Sequence, residues 1–166
     1  MIISILMIII GLPVLLFSFG EIRVWGGLYF ERDYRCVERL RRTTKSTDLV
    51  SLVHNVAKGS FGLVLVVAGL RRWIPVEHLG VVYTVLVVSV CLLAVDAALM
   101  EGVTRARGLK AVRDSLEKQW KGQKRLSPDH NHEVNLYRGT VRVTREYPKD
   151  ILVMTAWMLL LQLFFI

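Results

Sequence analysis

Hydrophobic residues in this chain fall into four long blocks separated by polar, strongly basic stretches. Residues 1–19 and 151–166 carry no formal charge, residues 49–70 carry only Lys58, and residues 80–100 carry only Asp96. In chain order the blocks are 19, 22, 21 and 16 residues long. A helix rising about 1.5 Å per residue needs roughly 17 to 25 apolar residues to cross a hydrocarbon core of about 30 Å. Three blocks meet that length. The fourth reaches about 24 Å, so a full crossing needs a thinned bilayer or a partner over its end, with a re-entrant or in-plane course as the alternative. A soluble bundle would set one apolar stripe against one polar face, whereas residues 81–95 are apolar nearly all round. The predicted fold is all-α: a polytopic membrane helical bundle forming one domain over residues 1–166, with amphipathic basic helices in its loops.

Local signals refine the blocks. The first lacks a basic leader and an A-x-A site, so a retained helix is expected rather than a cleaved signal peptide. Thr47 and Asp48 are predicted to cap the second, because their side-chain oxygens accept first-turn amide hydrogens. Trp73 suits an interfacial anchor and Pro75 a turn, which makes blocks two and three an antiparallel hairpin. In the loop of residues 20–48, Phe30, Tyr34, Val37 and Leu40 recur at helical spacing between arginines. The loop of residues 101–150 repeats this with Leu109, Val112, Leu116 and Trp120, flanked by Arg107, Lys110, Arg113, Lys118, Lys121 and Lys124. Farther on, Val134, Leu136, Val141 and Val143 alternate about Gly139 like a short β-hairpin.

Charge then orients the bundle. The net charge is +8. Residues 20–48 hold seven Lys/Arg, residues 101–150 hold twelve, and residues 71–79 hold two. With four crossings the two rich loops share a side, and the positive-inside tendency makes that side cytoplasmic or its equivalent, with both termini opposite. Basic amphipathic helices beside membrane spans favour anionic headgroups. That accounts for the charge without nucleic acid, for which no recognisable module is present.

Candidate chemistry is sparse. Ionisable residues inside a membrane are rare and usually paired or functional. If the hairpin turns near Pro75, Asp96 lies opposite His54 with Lys58 one turn deeper, so His54, Asn55, Lys58 and Asp96 form the candidate polar or ion-pair site. An interfacial pair locking the hairpin is the expected role, and a proton or ion relay the alternative. Small residues that let membrane helices approach recur at Gly59, Gly62 and Gly69, at Ala94, Ala98 and Gly102, and at Ser4, Gly11 and Ser18. Residues 129–133 gather two histidines and two acids, but three or four ligands in fixed geometry are needed for a metal, and a solvated loop is expected. Cys36 and Cys91 are expected as free thiols. With His54 the single histidine in a spanning block, no haem or other cofactor is expected.

The expected function is a non-enzymatic accessory or scaffold subunit, packed beside other membrane subunits or copies of itself. A homo-oligomeric ion or proton channel, transporter or lysis-type pore is the alternative, and a metal-dependent enzyme working through His130 and His132 a third class.

Overall fold

The computed structural model describes residues 2–31, 41–106, 108–121 and 131–165. These form α1 (Ile2–Glu31), α2 (Arg41–Leu70), α3 (Leu79–Ala106), α4 (Leu109–Lys121), α5 (Asn131–Val141) and α6 (Tyr147–Phe165). Single 3₁₀ turns at Arg71–Trp73 and Val76–His78 join α2 to α3. Three helical stretches, Ile2–Phe30, Arg41–Leu70 and Gly80–Val103, are long and apolar enough to cross a membrane by length and composition.

The central element is α2, which packs along α1 and against α3, α5 and α6. Its partnership with α1 is antiparallel and unusually close. A Cβ on Gly62 would sit 2.7 Å from the Leu15 nitrogen, one on Gly11 2.8 Å from the Gly62 carbonyl oxygen, and one on Gly69 2.7 Å from that of Ser4. Gly59 faces Ser18, whose Cβ is 3.2 Å from the same imaginary position. Ser18 donates to the Val14 carbonyl of its own helix, so its hydroxyl is satisfied inside the contact. Backbone approach of this kind replaces side-chain interdigitation, and dispersion between the closely packed backbones supplies the attraction. The third small-residue run is placed differently: Ala94 and Ala98 are exposed, and a Cβ at Gly102 would meet nothing within 4 Å among the described residues.

On the other flank of α2, α6 begins beside His54 and Lys58 and carries Met154, Met158 and Leu161 into one core with Ala57, Phe61, Val64, Leu65 and Leu93. A second core at the polar end joins Val50, Met100, Leu109, Val143 and Tyr147. Through it α4 docks on the bundle, with Leu109 and Leu116 buried.

Several sequence expectations are corrected. α1 runs beyond residue 19 to Glu31, and Phe30, read as part of a loop helix, lies in its last turn, largely exposed. Tyr34, Val37, Leu40 and Cys36 lie outside the described residues, as do Arg107, Lys124 and His130. α2 starts at Arg41, so Thr47 and Asp48 are buried interior residues instead of caps. The Ser/Thr side chains there satisfy themselves on the preceding turn, Ser46 donating to the Arg42 carbonyl and Thr47 to that of Thr43. Residues 134–143 are helical, not a hairpin. The buried positions Leu136, Thr140, Val143 and Tyr147 recur every three or four residues, and this period overrides the short alternation.

Arg113 is also corrected. Placed among the membrane-surface cations, it is buried at 6% exposure, and its guanidinium binds Thr144 and Asp114. That guanidinium holds the Asp114 carboxyl below the usual carboxylate range. Lys110 and Lys118 are exposed, and Lys121 closes α4.

The α1–α2 contact predicts a contrast between glycines. Gly62→Ala should destabilise the fold by about 1 to 3 kcal/mol, the usual cost of overpacking. Gly20→Ala, with nothing within 4 Å, should leave stability unchanged or slightly raised. Reversible unfolding in mixed detergent micelles measures both, and equal effects would contradict the close contact.

Candidate functional site

Asp96 on α3 has no exposed surface, and neither has His54 on α2. A carboxylate so buried requires donors, since an ionised group without them costs several kcal/mol or more. The His54 ring supplies one: Nδ1 lies 2.8 Å from Asp96 Oδ2, and against an ionised carboxylate, which can only accept, it is the donor. On the opposite edge of the ring, Nε2 faces Asp150 Oδ2 at 3.6 Å. Asp150 in turn accepts from Lys58 Nζ at 3.1 Å. Four ionisable side chains from α2, α3 and α6 therefore follow one another in the order Asp96, His54, Asp150, Lys58.

Packing fixes the imidazole. Tyr147, in the first turn of α6, stacks on it with ring centroids 3.7 Å apart and planes 16° from parallel. Asn55 donates to the Ser51 carbonyl of its own helix. A neutral ring protonated at Nδ1 has only a lone pair to offer Asp150, and a gap of 3.6 Å exceeds a direct hydrogen bond. His54 Nε2 and Asp96 Oδ1 have no hydrogen-bond partner among the described residues.

The sequence reading contained His54, Asn55, Lys58 and Asp96. The structure brings Asp96 to His54, turns Lys58 to Asp150 instead of Asp96, and leaves Asn55 bonded to its own helix. Asp150 and Tyr147 were missed. The signal that could have found them is Pro148, a residue favoured in the first turn of a helix, with an acid two positions on. Together they mark a helix start in what was counted as loop.

Pro148 also shapes what precedes it. Lacking an N–H, and with its ring pressing on the carbonyl four residues back, it prevents an ordinary α turn. Residues Arg142–Glu146 widen into one π turn, in which the Tyr147 N–H reaches the Arg142 carbonyl. Between this turn and α1, floored by α2, lies a cleft of about 300 Å³. Its walls include Ser18, Glu21, Asn55, Lys58, Arg142, Glu146 and Asp150, with Phe17 on the α1 side. Arg142 stands 3.5 Å from Glu21, which also accepts from the Trp25 indole at 2.8 Å. A second cleft of about 260 Å³ continues past Arg142 toward Arg138, Gly139 and Trp25.

Rises along the helices set the depth. His54 is 16 residues from the end of α2, about 24 Å at 1.5 Å per residue. An apolar core of Phe61, Val64, Leu65, Leu93, Met158 and Leu161 fills the bundle beyond it. The ionisable cluster thus lies near the basic end of the apolar segments.

No known protein family, no curated protein and no solved structure matches this chain.

The His54–Asp96 contact makes a coupling prediction. Asp96→Asn and His54→Leu, each leaving a buried polar group short of a partner, should each cost about 3 to 5 kcal/mol. The double variant should cost less than their sum by at least about 1 kcal/mol. Equilibrium unfolding of the four proteins gives the cycle, and strict additivity would mean the two side chains do not interact.

Proposed function

We propose that this chain is a multi-pass integral membrane protein, its basic end facing the cytoplasm or an equivalent compartment, acting as a non-enzymatic scaffold or accessory subunit. The observation that carries this reading is an asymmetry of burial. The apolar windows of α1 and α3 are only 17% buried each, whereas that of α2 is 56% buried. Two long apolar helices thus present their outer faces to lipid or neighbouring helices while sheltering the polar one. Exposed residues on them include Ile9, Leu16, Phe17, Val81, Val87 and Val95. In this reading α6 is a fourth, short crossing, and α4 with α5 forms a helical layer at the membrane surface.

The second reading, an ion- or proton-conducting oligomer, draws on the succession Asp96, His54, Asp150 and Lys58, because chains of ionisable groups are what relays use. The apolar core beyond the cluster opposes a route through one chain, so a conducting path would run between copies.

Two experiments separate these. After Cys36 and Cys91 are replaced by serine, single cysteines at Glu77 and at Lys118 should react with an impermeant thiol reagent from opposite sides of the membrane. Labelling of both from one side would overturn the topology. Reconstituted into liposomes, the purified protein should pass no measurable proton current under the scaffold reading, and should co-purify with a stoichiometric membrane partner from mild detergent. A current abolished by His54→Gln would instead establish the second reading.

A further inference from the structure

We propose that the cleft between α1 and the π turn is a headgroup site for a membrane phospholipid whose phosphate carries a primary amine. The inference rests on the membrane reading above. Charge pattern identifies the ligand class. Lys58 and Arg142 offer two cations to the cleft, while Glu21, Glu146 and Asp150 offer three carboxylates. A purely anionic ligand would meet the acids and a purely cationic one the bases, so a headgroup bearing both signs fits best. Asp150 is engaged by Lys58 at 3.1 Å, and Glu21 stands 3.5 Å from Arg142. Glu146, exposed at the far end of the same π turn, is the carboxylate available to an ammonium. Arg142 and Glu146 are the first and last residues of that turn, four apart, so both reach the cleft and can take the phosphate and the amine of one ligand.

The site is built on a π turn, a distortion concentrated at functional positions. A lipid source is favoured over a soluble one by position. The cleft lies where the uncharged runs of α1 and α6 meet their first charges, Glu21 and Asp150, the level at which headgroups begin. Phe17 at its α1 side is 77% exposed, which continues the cleft onto an apolar surface suited to an acyl chain. A volume near 300 Å³ accommodates the polar headgroup.

Native mass spectrometry of the full chain, released from nanodiscs of mixed phosphatidylethanolamine, phosphatidylcholine and phosphatidylglycerol, tests this. Phosphatidylethanolamine adducts should exceed the other two. Arg142→Gln and Glu146→Gln should each weaken them roughly tenfold, the loss of about one charge-assisted hydrogen bond. Glu146→Gln should leave phosphatidylglycerol adducts unchanged, while Lys118→Gln on α4 should alter none. Equal retention of the three lipids, or adducts indifferent to both cleft variants, would overturn the proposal. Competition by soluble glycerophosphoethanolamine at the same concentration as the lipid would overturn the lipid source. Insertion and sidedness of each variant, read by thiol labelling, separate failure of this site from failure of the membrane reading.

Discussion

A carboxylate with no exposed surface constrains everything around it. Asp96 is the one charge in residues 80–100 of α3, and it is tolerated because His54, across the α2–α3 interface, serves as its donor. That bond fixes the register of the hairpin and the orientation of the imidazole. The imidazole then presents its other edge to Asp150, and Tyr147 covers its face. Because Asp150 and Tyr147 both belong to the first turn of α6, one buried polar contact defines where the last helix begins. Burial of polar groups is a weak source of net stability but a strong source of specificity, since any slipped register leaves them unpaired.

Against this polar level, the rest of the bundle is held by shape. α1 meets α2 through glycines and serines spaced seven residues apart on α1, so that backbones touch along the pair. Farther from the cluster, methionine, leucine and phenylalanine side chains of α2, α3 and α6 close the interior. The two modes divide the labour. Close backbone contact supplies attraction without direction along the apolar length, and the ionisable cluster supplies direction at one end.

Three apolar helices were legible because each rests on a long run holding at most one charge, and the α2–α3 hairpin because a single proline turn joins two of them. The register counted from Pro75 sets Asp96 opposite His54, where the structure has it. The pairing of Asp150 with Lys58 was not legible. The two are separated by 92 residues, and no local pattern ties a polar helix start to a residue so distant. The start of α2 was misjudged because Ser and Thr are read as caps, whereas here they bond the preceding turn and let the helix begin earlier. α5 was misjudged because two alternating pairs, 134/136 and 141/143, cannot be distinguished from helical period until the buried partner, here Thr47 against Gly139, is known. For Asp150 and α5 the missing information was tertiary; for the start of α2 it was a choice between two local bonding patterns of Ser and Thr.

The His54–Asp96 hydrogen bond is the organising contact of the helical bundle. Its most direct measurement is nitrogen NMR of the His54 ring, selectively labelled, in lipid bilayers. The account predicts a proton on Nδ1 that exchanges slowly with deuterated water and carries the signature of a bond to a carboxylate, lost in Asp96→Asn. A ring protonated on Nε2 alone, or one exchanging as fast as a free imidazole, would contradict it.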